Sequence, residues 1–182
     1  MAFAAIGLAA VWALAEAVVF FIVADVPIMA VALRWGWRQG IMAACFAAVF
    51  AALGGAVVYM GAATLPELTR PLLLGVPGIS AQMLDDAVES YGMGGFLPML
   101  AGSFTGVPYK LYAFAAGLNM VPLPAFLLQS VFARLPRFLL VALLSGWLGE
   151  RLRPSLPQWA IWALFGVCWL TFYAWYFTSF GW

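Results

Sequence analysis

The placement of a few charges constrains this chain more than any other feature. Glu16, Asp25, Lys110, Arg134 and Arg137 lie inside long apolar runs rather than between them. Charged residues make up 8% of the chain and hydrophobic ones 66%, whereas a soluble domain is about a quarter charged and about half apolar. A water-soluble fold of 182 residues could not cover itself with so little polar surface. Lipid is the solvent that removes the difficulty. The chain is therefore read as an all-α integral membrane protein with one membrane domain over residues 1–182. A charge at the bilayer centre costs about 2.5 kcal/mol or more, so these residues must meet one another. Three are positive and two negative, which allows most of the charge to pair.

The apolar residues fall into blocks at 2–33, 40–63, 93–118, 121–149 and 158–180. A spanning helix needs about 20 apolar residues, and the second, fourth and fifth blocks fit one span each. The first block is interrupted by Glu16, Asp25 and Pro27, and the third by Pro98, Gly102, Gly106, Pro108 and Lys110. Each is too short for two spans yet carries breakers. Broken backbone at membrane depth is tolerated only where protein or a wet cavity covers it. Residues 1–33 and 93–118 are accordingly expected as two re-entrant helical hairpins, with breaks at Pro27, Gly106 and Pro108; two kinked spans are the alternative. Between them, residues 64–92 are expected at the interface. There Thr64 would cap a helix start with Glu67 in the capping-box position. Ile79, Met83, Leu84, Ala87, Val88 and Tyr91 form one face of a short amphipathic helix whose other face holds Asp85, Asp86 and Glu89.

A weak repeat accompanies these breaks. Val26-Pro27 aligns with Val107-Pro108, and Phe50-Ala51-Ala52-Leu53 with Phe132-Ala133-Arg134-Leu135. Each half would be a hairpin plus a span, and one crossing between them would make the halves inverted, as in many transporters. If both hairpins return to their own side, Arg34, Arg38, Arg151 and Arg153 share one face and Arg70 stands alone on the other. That bias makes the first face cytoplasmic and the C-terminus external.

The fourth block carries the chemistry. Ser130, Arg134, Arg137, Val141 and Ser145 recur at helical spacing, so both arginines share a face. Pro136 cannot donate to the Phe132 carbonyl, and guanidinium groups grip carboxylates or phosphates through paired hydrogen bonds. Two readings stand: the charges staple the hairpins, or Glu16 and Asp25 move protons while Lys110, Arg134 and Arg137 bind an anionic headgroup. Gly36-x-x-x-Gly40 and Gly102-x-x-x-Gly106 have the spacing for close helix contact, the second marking a hairpin tip. Trp35, Trp37, Trp147, Trp159, Trp175, Tyr176 and Trp182 lie near segment ends, as interfacial anchors do.

Several classes are set aside. A net charge of +1 carries no nucleic-acid footprint. Histidine is absent, and Cys45 and Cys168 sit in apolar segments without metal or redox spacing. No metal, cofactor, nucleotide loop or nucleophile–base set is expected, nor is an enzyme, and the first residues do not read as a signal peptide. Membrane lipids are the expected partners, with self-association left open.

Three stretches resemble the DedA family, also called SNARE-associated or VTT-domain proteins. They are Glu16 with Asp25-Val26-Pro27; Gly102 to Lys110, containing Pro108-Tyr109-Lys110, with Ala115-Ala116-Gly117; and Phe126 to Phe138, containing Arg134 and Arg137. The likeness spans roughly residues 10–150 and is closest to the subgroup with a Pro-Tyr-Lys segment. Ser103-Phe104 stand where many members open the motif with arginine, and Gly106 where proline is usual. The resemblance implies opposed re-entrant hairpins in a bacterial inner membrane. It also implies movement of an anionic lipid, such as a polyprenyl phosphate or a phospholipid, with proton coupling in some members. In it Glu16 and Asp25 match an essential acidic pair and Lys110 an essential basic position. A non-transporting scaffold and a small-solute or ion transporter remain the alternatives.

Overall fold

The computed structural model describes residues 1–19 and 21–180, with the backbone alone at 179 and 180. These form nine helices and no strand: α1 (Ala2–Val18), α2 (Asp25–Trp35), α3 (Trp37–Thr64), α4 (Pro66–Leu74), α5 (Ala81–Gly94), α6 (Phe96–Thr105), α7 (Tyr109–Leu118), α8 (Leu123–Leu152) and α9 (Gln158–Phe180). Three of them, α3, α8 and α9, are long and apolar enough to cross a membrane. At 28 and 30 residues, α3 and α8 reach about 42 and about 45 Å against a hydrocarbon core of about 30 Å. By contrast α2, α6 and α7 hold 11, 10 and 10 residues, or about 15–17 Å each, roughly half that depth.

The centre of the fold is α3, and its composition explains why. Ala43, Ala47 and Ala51 on one stripe and Ala44, Ala48 and Ala52 on the next are all buried. Small side chains let neighbouring helices approach closely, which is how helices associate where lipid removes the hydrophobic drive. α1 packs along one side of α3 and α8 along another. Gly54 lies so close to Leu14 and Ala17 of α1 that no side chain fits there. α8 runs antiparallel to α3: Gly40 faces Ala142 and Gly146 faces Trp37 at one end, while Tyr59 stacks on Phe126 at 5.2 Å and donates to the Val121 carbonyl at 2.5 Å at the other.

The helix order short, short, long occurs twice, as α1–α2–α3 and α6–α7–α8, and the two long members are antiparallel. The short pairs approach α3 from opposite ends. α2 finishes beside the start of α3, with Ala32 against Gly40, and α7 finishes beside its end, with Gly117 against Tyr59 and Ala62. The turn of the second pair lies at mid-helix depth, where Tyr109 packs on Gly55.

The outward faces are apolar. Phe46, Val49, Leu53, Val57 and Met60 of α3 are exposed, as are Leu128, Phe132, Leu140 and Leu144 of α8. α8 buries Ser130, Arg134 and Ser145 on its inner face. Polar within and apolar without is the inverse of a soluble helix and suits a lipid surround.

Several boundaries differ from expectation. α1 ends at Val18 and α2 begins at Asp25, so the break does not fall at Pro27, which sits in the first turn of α2. Proline is tolerated there because first-turn N–H groups have no intrahelical acceptor. At the second interruption Gly106 closes α6 at φ 90° and Pro108 is the N-cap of α7. The helix start read at Thr64 and the amphipathic helix read over residues 79–91 correspond to α4 and α5. Thr64 is no cap; it ends α3 and its hydroxyl donates to the Met60 carbonyl at 2.7 Å. Pro66 instead opens α4, and Ser80 caps α5 by accepting from the Met83 N–H at 3.1 Å. In the first glycine pair Gly36 is the positive-φ turn between α2 and α3 and Gly40 makes the close contact, while in the second Gly102 lies against Tyr112.

At one end of the molecule Arg34 lies over Trp35, Arg38 over Trp37 and Arg151 over Trp147, with guanidinium-to-ring distances of 5.6, 5.3 and 5.4 Å. Arg153 joins them, donating to the Leu33 carbonyl at 2.7 Å. Arg70, beyond the other end of α3, pairs with Asp85 at 2.8 Å. Trp159 and Trp175 are exposed near the ends of α9; Trp182 lies outside the described residues.

Candidate functional site

Five ionisable side chains from four helices converge on one cavity. α1 carries Glu16 in its last turn, and Asp25 is the first residue of α2, where a carboxylate complements the helix dipole. Lys110 is the second residue of α7. Arg134 and Arg137 project from α8, which runs on through Pro136. All five positions expected from the sequence are therefore brought together.

The two arginines are held differently. Arg134 donates through Nη2 to Glu16 Oε2 at 2.7 Å, and each side chain is only 8% exposed. Its guanidinium lies over the Tyr109 and Phe138 rings, 4.7 and 4.8 Å from their centres. Tyr109 is itself anchored by donating to Ser130 Oγ at 2.7 Å. Arg137 is paired with Asp25 and donates through Nη1 to the Ser103 carbonyl at 2.5 Å. Its side chain is 30% exposed against 5% for Asp25. The backbone acceptor that meets a guanidinium is thus Ser103 of α6; the Phe132 side chain points outward, 60% exposed.

The cavity has a volume of about 140 Å³. One water needs roughly 15 Å³ on this measure, so it holds several waters or one small anionic group. A whole lipid does not fit. The two helix breaks contribute Val23 and the segment from Gly106 to Lys110, and the α4–α5 loop adds Val76, Pro77 and Ile79. α9 closes one side with Phe172, Tyr173 and Tyr176. Tyr173 accepts the Val23 N–H at 2.9 Å, and Trp12 donates to the Ile22 carbonyl at 3.1 Å. These bonds satisfy backbone groups that the interrupted helix leaves without partners, a requirement wherever water is scarce.

Asp25 Oδ1 and Arg134 Nε are buried without a protein hydrogen-bond partner among the described residues. An unmade bond at a buried polar group costs about 1–3 kcal/mol, and both residues line the cavity. Among the described residues the cavity gathers three cations and two carboxylates, a formal excess of one positive charge. No cluster of His, Cys, Asp or Glu suited to a metal ion occurs among the described residues.

Sequence reasoning did not single out Tyr109, Ser103, Phe138, Tyr173 or Tyr176 as site residues. Two signals were available. Tyr109 adjoins Lys110 at the second break, and Tyr173 and Tyr176 lie three apart on one helix face.

Two uncharacterised proteins are similar to part of this chain. One, from Haemophilus influenzae, is 33% identical over 72 residues, which is 40% of this chain and 38% of that protein. The other, from Histophilus somni, is 30% identical over 77 residues, 42% of this chain and 40% of its own. The chain thus matches about two fifths of the length of these relatives. No family model matches the chain. No solved structure matches it.

Proposed function

We propose that this chain is a DedA-like transporter or scramblase that moves an anionic lipid, such as a polyprenyl phosphate or a phospholipid, across a bacterial inner membrane. In this reading α1–α2 and α6–α7 are re-entrant hairpins entering from opposite faces. The arginine-rich end of α2, α3 and α8 is cytoplasmic, by the bias of basic residues. One observation carries the proposal: buried charges on two broken helix pairs and α8 face a common cavity midway along α3. Intramembrane ionisable residues are costly and mark substrate or proton pathways. Lys110 adds its charge to the positive N-terminal end of α7, a combination that favours an anion.

The chemistry assigned is binding and exchange rather than bond making. A headgroup phosphate competes with Glu16 and Asp25 for Arg134 and Arg137, and Lys110 supplies further positive charge. Released carboxylates take up protons, which links lipid movement to a proton gradient. The cavity admits the headgroup while the chains stay in lipid. Purified protein in vesicles should speed transbilayer movement of a labelled anionic lipid above the rate in empty vesicles. Glu16→Gln and Arg134→Gln should each slow it without lowering insertion. Wild-type vesicles that move lipid no faster than empty ones defeat the proposal.

A second reading has one observation in its favour. Each carboxylate already has an arginine partner, as a non-transporting scaffold would require. Exchanging Glu16 and Arg134 separates the two: a staple keeps folding and any scaffold role, whereas a transport path loses its rate.

A further inference from the structure

Beyond the central cavity, α9 stands away from α2 and α8, and the gap has two parts. An apolar cleft of about 370 Å³ runs between Met29 and Leu33 of α2, Leu148 and Leu152 of α8, and Leu164 and Phe165 of α9. At the arginine-rich end it meets a second pocket of about 270 Å³, sharing Leu33 and Ile161 with it. That pocket contains Arg34, Arg153 and Gln158 and no carboxylate. Glu150, whose carboxylate lies beside Gly36, does not line it. At its other end the cleft shares Val23, Arg137 and Phe172 with the central cavity.

We infer that the pocket of Arg34, Arg153 and Gln158 is a separate binding site for the phosphate headgroup of an anionic lipid whose hydrocarbon chain lies in the cleft between α8 and α9. Two guanidinium groups offer donors alone and the Gln158 amide nitrogen adds another donor, which suits a phosphate bearing negative charge. Arg153 is already oriented by its bond to the Leu33 carbonyl. From Ile161 to Phe172 the α9 wall of the cleft rises about 17 Å, close to half of the roughly 30 Å hydrocarbon core. A headgroup at the arginine end therefore keeps its chain within one leaflet. The same cleft leads to Arg137, so the pocket is the loading position for the central cavity. That last role rests on the transport reading; the binding site does not.

The experiment titrates the purified full chain in detergent with dioleoyl phosphatidic acid and reads retained lipid by native mass spectrometry. Dioleoyl phosphatidylcholine and glycerol phosphate serve as comparison probes. Each arginine near a membrane surface strengthens anionic lipid binding about fivefold, so Arg34→Gln with Arg153→Gln should weaken retention about 25-fold. Arg153→Lys should restore most of it, and Arg34→Gln alone, at an exposed residue lying over Trp35, guards against misfolding. Arg70→Gln, at the far end, should change nothing. Leu164→Trp, filling the cleft, should weaken the lipid but not glycerol phosphate. Retention unchanged in the double variant overturns the inference. So does glycerol phosphate binding as tightly as the lipid, or a cleft filling without effect. Wild-type protein that holds phosphatidic acid here yet moves no lipid in vesicles defeats the proposed transport and leaves this site standing.

Discussion

Neutralising Glu16 should expose how much of the fold depends on the central charges. Glu16→Gln removes the counter-charge of Arg134 while keeping an oxygen near Nη2. Both side chains are 8% exposed, so little solvent is available to take over. At about 4 Å between charge centres and an effective dielectric near 20, the lost attraction is about 4 kcal/mol. Removal of one partner from a buried pair typically costs about 3–5 kcal/mol. Arg134 cannot readily swing out, because its guanidinium packs against the Tyr109 and Phe138 rings. The Asp25–Arg137 pair differs, since Arg137 is 30% exposed and water screens it; its coupling should be about 1–2 kcal/mol. Double-mutant cycles of Glu16→Gln with Arg134→Gln, and of Asp25→Asn with Arg137→Gln, read this difference by reversible unfolding in mixed micelles. The first cycle should give coupling of about 3 kcal/mol, a shift of about a hundredfold in the folding equilibrium. Coupling below about 1 kcal/mol, or no larger than in the second cycle, would refute the placement of Glu16 and Arg134 in a shared low-dielectric centre.

Other perturbations have equally definite outcomes. Tyr109→Phe removes the bond to the fully buried Ser130 hydroxyl and should cost about 1–3 kcal/mol, whereas adding Ser130→Ala should recover part of the loss in the same unfolding assay. Gly117→Val should destabilise strongly, because an added Cβ would meet Ala62 Cβ at 2.7 Å; Gly7→Ala, with nothing within 4 Å, should be neutral or stabilising by up to about 1 kcal/mol. With Cys45 and Cys168 replaced by alanine, Gln82→Cys and Arg151→Cys should react with an impermeant thiol reagent from opposite sides of sealed vesicles; labelling from one side contradicts the assigned orientation.

Much of the site was legible because charge in an apolar run admits few outcomes. Glu16, Asp25, Lys110, Arg134 and Arg137 had to meet, and the helical spacing of Ser130, Arg134 and Arg137 placed one inner face of α8. Which carboxylate meets which arginine was not legible, because pairing depends on how α1 and α2 sit against α8. The second break carried its own chemistry, a positive-φ glycine followed by proline. The first did not: residues 19–24 hold no glycine or proline, and the Ile22 carbonyl and Val23 N–H find their partners on the side chains of Trp12 and Tyr173, from α1 and α9. Pro27 drew the eye instead, although a helix accepts proline in its first turn. For α4 the helix start was legible but its cap was not, since Thr64 and Glu67 mimic a capping box while Leu65 is the N-cap and Pro66 opens the helix.

The most direct test is to ask whether water reaches the middle of the fold on one side of α8 only. In a chain with Cys45 and Cys168 replaced by alanine, Ser103→Cys would line the cavity and Phe132→Cys would sit on the outer face of α8. A charged thiol reagent applied to the protein in vesicles should modify the cysteine at 103 and leave the one at 132 untouched, because only thiolate in water reacts. If both stay inert, or the outer position reacts as fast as the inner, no wet cavity joins these charges within the bilayer.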